Sequence, residues 1–328
     1  MKTLKVAFVG QPNVGKSLLV NTICKANMHV GNFAGVTVEK AEAALVFENY
    51  KIKIIDLPGT YSLHGYSKEE KITRNFLENG EYDLIVNIAD STNLERNLLL
   101  SAELMETNKK IVLALNMSDE AENEGIKIDT EKMQSLLNIP VILISAQKQK
   151  NLHDFLALIV NTCEKDFTTN KRIYGDLIEN EISKLSEFLD TKNDENIKSL
   201  GFTNRQISKK LLFGDDEIYA FLHDKSIFLE LLTLLKRAKE RLYKGYDNQN
   251  LKEIFMDDTA SFVNGVITEA VIYEKPKKPN NTAKIDKILI NKYLGLPIFF
   301  IFNVGTFSAD FHFRINSDGL YRGTVCGH

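Results

Sequence analysis

The segment Gly10-Gln11-Pro12-Asn13-Val14-Gly15-Lys16-Ser17 constrains this chain more than any other. It fits the pattern GxxxxGK[ST], and it lies between the apolar run Leu4–Val9 and an amphipathic stretch that starts at Lys16. A loop of this kind needs a buried strand before it and a helix after it, which predicts a parallel sheet covered by helices. Gly10 and Gly15 let the backbone, with Val14 inside the wrap, turn its N–H groups onto a phosphate chain. The helix N-terminus adds positive dipole, and Lys16 supplies charge to the outer phosphates. The hydroxyl of Ser17 is suited to ligate Mg²⁺.

The sequence up to Cys163 repeats this alternation. Lys51–Ile55, Asp83–Ala89, Lys110–Leu115 and Val141–Ile144 read as buried strands, with helices starting near Ser67, Asn93, Asp129 and Asn151. Thr37–Phe47 reads as a further strand, antiparallel to its neighbour because only Glu48, Asn49 and Tyr50 separate it from Lys51. The expectation is an α/β domain over residues 1–166 with a mainly parallel six-stranded sheet. From about Thr169 the spacing becomes helical throughout, as in Ile178, Ile182, Leu185 and Leu189, with Thr203 and Asp215 as expected N-caps. Residues 167–258 therefore read as an all-α domain, and 259–290 as an amphipathic segment and polar linker. Residues 291–328 read as the start of a membrane span: Leu294–Phe307 is apolar, but Asp310, His312 and Arg314 interrupt it short of the roughly 18 apolar residues a span needs.

Charge and cysteine content narrow the classes further. The 328 residues carry 41 Lys+Arg against 44 Asp+Glu, a net charge of −3, which excludes a basic nucleic-acid coat protein. The 3 cysteines, Cys24, Cys163 and Cys326, form no CxxC pair, so neither a disulfide framework nor a zinc knuckle is indicated, and a reducing cytoplasm fits. The 6 histidines show no HExxH spacing, and His29 reads as a surface loop residue.

Further residues at strand ends complete a nucleotide site. Asp56-Leu57-Pro58-Gly59 closes a strand where the Asp56 carboxylate can reach a Mg²⁺ through water and the Gly59 N–H can approach a γ-phosphate. Asn116-Met117-Ser118-Asp119 follows the strand ending at Leu115, and Ser145-Ala146 follows the next. A carboxylate at Asp119 can accept from guanine N1–H and N2–H, whereas adenine would leave it unpaired, so the base is expected to be guanine. The Ala146 N–H is expected to meet guanine O6.

With these elements in view the chain resembles the Ras-like GTPases, and within them the cytoplasmic part of the bacterial ferrous iron transport protein B family. The resemblance rests on GQPNVGKS, VGNFAGVTVEK (Val30–Lys40), DLPGTYSL (Asp56–Leu63), DSTNLERNL (Asp90–Leu98), ALNMSDEA (Ala114–Ala121), SFVNGVITEAV (Ser261–Val271) and IDKILINKYLGLPIF (Ile285–Phe299). It implies GTP as substrate and GDP as product, with Mg²⁺ held by Ser17, Thr37 and, through water, Asp56. Thr37 would be the switch I threonine that binds the ion when GTP is present. The catalytic set would be Lys16, Thr37, Gly59 and Asn13, with Asn13 helping to hold a K⁺ that replaces an arginine finger. Met117 stands where a lysine is commoner and would cover the base by apolar packing.

Thr60 occupies the position at which many Ras-like switches carry a water-orienting glutamine, so hydrolysis is expected to be slow. By the same resemblance the helical domain modulates GDP release and answers to a membrane pore domain, on the cytoplasmic side of the bacterial inner membrane. No nucleic-acid partner is expected, and a homo-oligomer is compatible with the sequence. The family continues after LGLPIF into many spans, so the chain is expected to be truncated and not competent for transport alone. Two other readings remain at this point, a soluble GTPase of ribosome assembly or tRNA modification and a nucleotide-dependent binding switch.

Overall fold

The computed structural model describes residues 1–24, 28–32, 39–65, 67–166, 173–192, 197, 200–274 and 297. Its first part is a seven-stranded sheet in the order β2-β3-β4-β1-β5-β6-β8. The strands are β1 (Lys2–Gly10), β2 (Met28–Asn32), β3 (Glu39–Phe47), β4 (Tyr50–Asp56), β5 (Leu84–Asp90), β6 (Ile111–Asn116) and β8 (Val141–Leu143). β4, β1, β5, β6 and β8 run parallel, while β3 is antiparallel to β4 and β2 to β3. β1 sits in the middle because its residues from Val6 to Val9 are apolar on both faces, as a strand covered on both sides requires.

The pleat sorts those side chains into two cores. Val6, Phe8, Ile54, Val86, Ile88 and Val112 face helices α1 (Lys16–Cys24) and α6 (Leu152–Glu164), where Phe8 meets Phe155 edge-on at 6.2 Å. Ala7, Val9, Ile55, Ile85, Leu113 and Leu115 face the opposite way, towards α3 (Leu94–Met105) and α5 (Thr130–Leu137). The helix starts follow local chemistry. Ser67 and Glu70 form a reciprocal capping box at the head of α2 (Lys68–Asn79), and Asp129 caps α5 through the Lys132 N–H.

The helical part comprises α7 (Asp176–Lys192), α8 (Asn204–Phe213), α9 (Asp216–His223), α10 (Phe228–Tyr246) and the first half of α11 (Leu251–Ala270). Thr203 and Asp215 cap α8 and α9 as expected. Ile178, Ile182, Leu185, Leu211, Leu231, Leu235 and Phe255 close its core.

Several features depart from the sequence expectation. The sheet has a seventh strand, β2, which places His29 in a strand opposite Glu42 and not in a loop. Helix α4 (Ser118–Asn123) and strand β7 (Ile126–Ile128) are too short for a periodic signal, and β7 pairs with β9 (Val271–Tyr273) as a separate ribbon. The boundary expected at residue 258 falls inside the unbroken helix α11. Its Leu251, Ile254 and Phe255 belong to the helical core, and its Val263, Val266, Ile267 and Ala270 to the core beside α3 and α5. A helix of this length spans about 30 Å, enough to serve both. Thr37, most of Val30–Lys40, the linker and the apolar run after Leu294 fall outside the described side chains. Among the described residues no helix is long and apolar enough to cross a membrane.

The two parts meet over buried charge. Arg205 grips Glu179 with two hydrogen bonds of 2.6 and 2.8 Å and also reaches Glu106 at the end of α3, 3.2 Å away. Lys209 lies 3.5 Å from Glu106. Burial disfavours charge on Lys209, but Tyr174, Glu106 and Glu103 outweigh it and hold its ammonium above the usual lysine range. Gln206 adds a 2.9 Å hydrogen bond to the Thr107 carbonyl, and Phe213 stacks on His64 with ring centres 5.0 Å apart. Removing the shared carboxylate by Glu106→Ala leaves Lys209 buried without its closest anion, and the expected loss is about 3 kcal/mol. Urea unfolding checks this; a loss below about 1 kcal/mol would show the cluster to be worth no more than an exposed pair.

Candidate functional site

The C-terminal ends of β1, β4, β5, β6 and β8 converge on one edge of the sheet, where crevices of parallel α/β folds bind ligands. The P-loop lies there between β1 and α1 as the sequence predicts. Gly10 has no room for a side chain, since a Cβ would stand 2.5 Å from the Ile88 carbonyl oxygen. Gly15 has a φ of +78° and would drive a Cβ to 2.5 Å from the Asn116 amide nitrogen. Asn13 adopts φ 68°, the left-handed conformation asparagine tolerates, and its side chain is exposed at the loop surface.

Lys16 and Asp56 occupy the floor of the site, each side chain about nine-tenths buried. The Lys16 ammonium donates to Asp56 Oδ1 and, at 2.6 Å, to the Leu57 carbonyl. Burial raises the Asp56 carboxyl above its usual value, and Lys16 opposes that rise. Ser17, one residue on, is exposed on α1. Hard oxygen donors from Ser17 and Asp56 beside a phosphate-binding loop fit Mg²⁺ by their chemistry.

The loop after β4 continues along β1. Leu57 N–H donates to the Phe8 carbonyl and Thr60 N–H to the Gly10 carbonyl, both at 3.1 Å. Gly59 thereby rests on Pro12, where a Cβ would come within 3.2 Å of the proline backbone. Thr60 is buried, and its hydroxyl is spent on the Ser62 carbonyl at 2.7 Å. The hydroxyl proton is thus engaged within the loop itself.

The loops after β6 and β8 meet at Asn116, which is 2% exposed. Its amide nitrogen donates to the Val14 carbonyl at 2.9 Å, and its oxygen accepts the Ala146 N–H at 3.0 Å. The Ala146 N–H, expected to meet guanine O6, thus donates to Asn116 here, since a buried amide and a buried N–H so close satisfy each other. Ser145 is fully buried, and a 3.0 Å hydrogen bond from the Lys148 N–H to its hydroxyl shapes the turn. Met117, at φ 59°, ends its side chain beside Gly15, with Cε 3.6 Å from where a Cβ would lie. Asp119 Oδ1 is buried with no hydrogen-bond partner among the described residues. A buried orphan acceptor on the residue expected to read guanine is the observation that best fits the site to that base.

Sequence reasoning missed Gln11. Its side chain, 4% exposed, donates to the Arg96 carbonyl at 2.6 Å and ties the P-loop to α3; only a contact partner 85 positions away identifies it. Thr37 lies outside the described residues. Among those residues no cluster of three or more His, Cys, Asp and Glu side chains could hold a metal ion.

Comparisons with known proteins agree with this geometry. The family model for ferrous iron transport protein B matches residues 4–159, and that for the FeoB cytosolic helical domain matches residues 174–272. The Fe(2+) transporter FeoB of Campylobacter jejuni is 42% identical over 299 residues, covering 91% of this chain and 37% of that protein. The chain thus spans less than two fifths of that curated relative's length. The solved cytosolic domain of the T. maritima FeoB iron transporter, in a GDP form, is 33% identical and aligns with a TM-score of 0.67 over 83% of this chain and 99% of that one. The same domain in a GMPPNP form aligns with a TM-score of 0.67 at 33% identity, over 82% and 99%.

If the Asp119 carboxylate reads the base, Asp119→Asn should weaken GDP binding by about a hundredfold or more, since two charge-assisted hydrogen bonds are lost. The same variant should gain affinity for xanthosine diphosphate, whose O2 can accept from the new amide. Titration with fluorescent analogues of both nucleotides checks this; unchanged GDP affinity would remove Asp119 from the site.

Proposed function

The chain belongs to the ferrous iron transport protein B family, and on that premise we propose that residues 1–166 bind GTP and hydrolyse it to GDP and phosphate. The orphan acceptor of Asp119, beside a P-loop of the right sequence and shape, carries the guanine reading. The solved T. maritima relatives, in GDP and GMPPNP forms, support it.

The residues divide the work by position. Backbone N–H groups from Gly10 to Gly15 and the start of α1 hold the phosphates, with Lys16 leaving Asp56 to take the outer ones. Met117 covers one face of the base by apolar contact, and Asp119 fixes its edge, while Asn116 and Ser145 hold the two loops together. Water attacks the γ-phosphorus as the bond to the bridging oxygen breaks, and the Gly59 N–H stabilises the charge that develops. Mg²⁺, held by Ser17, Thr37 and, through water, Asp56, would neutralise phosphate charge. The exposed amide oxygen of Asn13 suits a K⁺ ligand, and with no side chain of Thr60 free to orient water the turnover is slow.

The helical part, residues 167–258 with the second half of α11, is proposed to relay the nucleotide state to a membrane pore domain, regulating Fe²⁺ uptake at the cytoplasmic face of the bacterial inner membrane. The hydrogen bonds and ring contact that join α8 to α3 and His64 support that role. GTP hydrolysis by the full chain, followed as phosphate release in equal concentrations of KCl and NaCl, tests the reading. Faster release in KCl, abolished by Asn13→Ala with GDP binding retained, is expected. Equal rates would remove the K⁺ role, and no release in either salt would remove the enzyme reading.

A further inference from the structure

The loop after β4 is pinned at two points. Thr60 is tied to Gly10 through its N–H, and Leu63 and Ser62 are tied to the carboxylate of Glu103 on α3. Between these anchors stands Tyr61, which is 45% exposed. Its ring lies beneath the Arg96 guanidinium, whose central carbon is 4.2 Å from the ring centre. That distance is well inside the range of a cation–π contact.

Arg96 is placed to do this by three independent features. It sits in the first turn of α3, behind a loop ordered by Asp90, whose carboxylate accepts the Thr92 N–H at 2.8 Å and the Thr92 hydroxyl at 2.7 Å. Its own carbonyl accepts the buried Gln11 side chain from the P-loop. Among the described residues its guanidinium forms no ion pair, so the tyrosine face is the contact that orients it. One residue therefore touches both the P-loop, through its backbone, and the loop after β4, through its side chain.

We propose that Arg96 and Tyr61 form a clasp that sets Gly59 and Thr60 against the P-loop, making Arg96 a positioning residue for the hydrolytic step. The inference rests on the GTPase reading above and adds to it the group that holds the reactive loop in place. The Gly59 N–H has no side chain to steer it; its position follows from Pro12 and the Thr60–Gly10 hydrogen bond on one side and from the course of the chain through Tyr61 on the other. Loosening Tyr61 lets that N–H wander from the γ-phosphate while the phosphate wrap and the base loops stay intact.

Single-turnover hydrolysis by the full 328-residue chain, loaded with GTP and started with Mg²⁺ in KCl, tests this, with GDP affinity and melting temperature measured on every variant. Arg96→Ala and Tyr61→Ala should each slow the step by about two- to fivefold, the range an exposed cation–π contact supports, with GDP affinity and melting temperature unchanged. The double variant should be no slower than either single one, and Arg96→Lys and Tyr61→Phe should restore most of the rate, because both keep a cation over a ring. Unchanged or faster hydrolysis in the alanine variants, additive losses, or parallel losses of GDP affinity would overturn the clasp. So would a loss of about a thousandfold in Arg96→Ala with Tyr61→Ala unaffected, since that is the mark of an arginine touching the phosphate itself. A wild-type chain that binds GDP but hydrolyses nothing would count against the GTPase reading and is distinguishable from all of these.

Discussion

The side-chain amide of Asn116 holds three loops from three different strands in one register. It donates to the P-loop at Val14 and accepts from the loop after β8 at Ala146, while its backbone closes β6 against β5. A buried amide with both of its ends used is worth more than its pairwise contacts suggest. Gly15 is bare because this amide crowds it, and Met117 reaches Gly15 because Asn116 brings the two loops together. The P-loop and the loops after β6 and β8 are thus one unit, built on the parallel register of the central strands.

A second constraint links that unit to the helical part. α11 is buried in two cores, and α8 presses Arg205, Gln206 and Lys209 onto the end of α3. α3 in turn carries Glu103 and Arg96, which hold the loop after β4, and Phe213 stacks directly on His64 of that loop. A change at Gly59 therefore meets side chains of the helical part within a few residues. The buried charges at the seam are matched within a compact cluster, which favours a defined docking geometry over a loose one.

What was legible in the sequence was what depends on local chemistry or on long periodic runs. The parallel strands showed as unbroken apolar stretches, the helix starts near Ser67 and Asp129 as the onset of amphipathic spacing, and those at Thr203 and Asp215 as capping residues. The P-loop showed because its chemistry demands particular residue types at particular spacing. What stayed hidden depends on partners distant in the chain. β2 is a five-residue strand with two glycine-or-asparagine positions, visible only through its pairing with β3. β7 has three residues and exists because β9, far along the chain, pairs with it. That the Ala146 N–H lies 3.0 Å from a buried amide oxygen is a contact the sequence cannot show. Arg96 and Gln11 escaped notice for the same reason, each acting through a contact that only the fold creates.

The central claim is that these strand-end loops form a guanine-specific nucleotide site, with Asp119 supplying the discrimination. Calorimetric titration of the full chain with GDP and then with ADP, in the presence of Mg²⁺, tests it most directly. The account predicts GDP binding tighter than ADP by about a hundredfold or more, because ADP leaves the buried Asp119 Oδ1 unpaired. Equal affinity for the two nucleotides would contradict it.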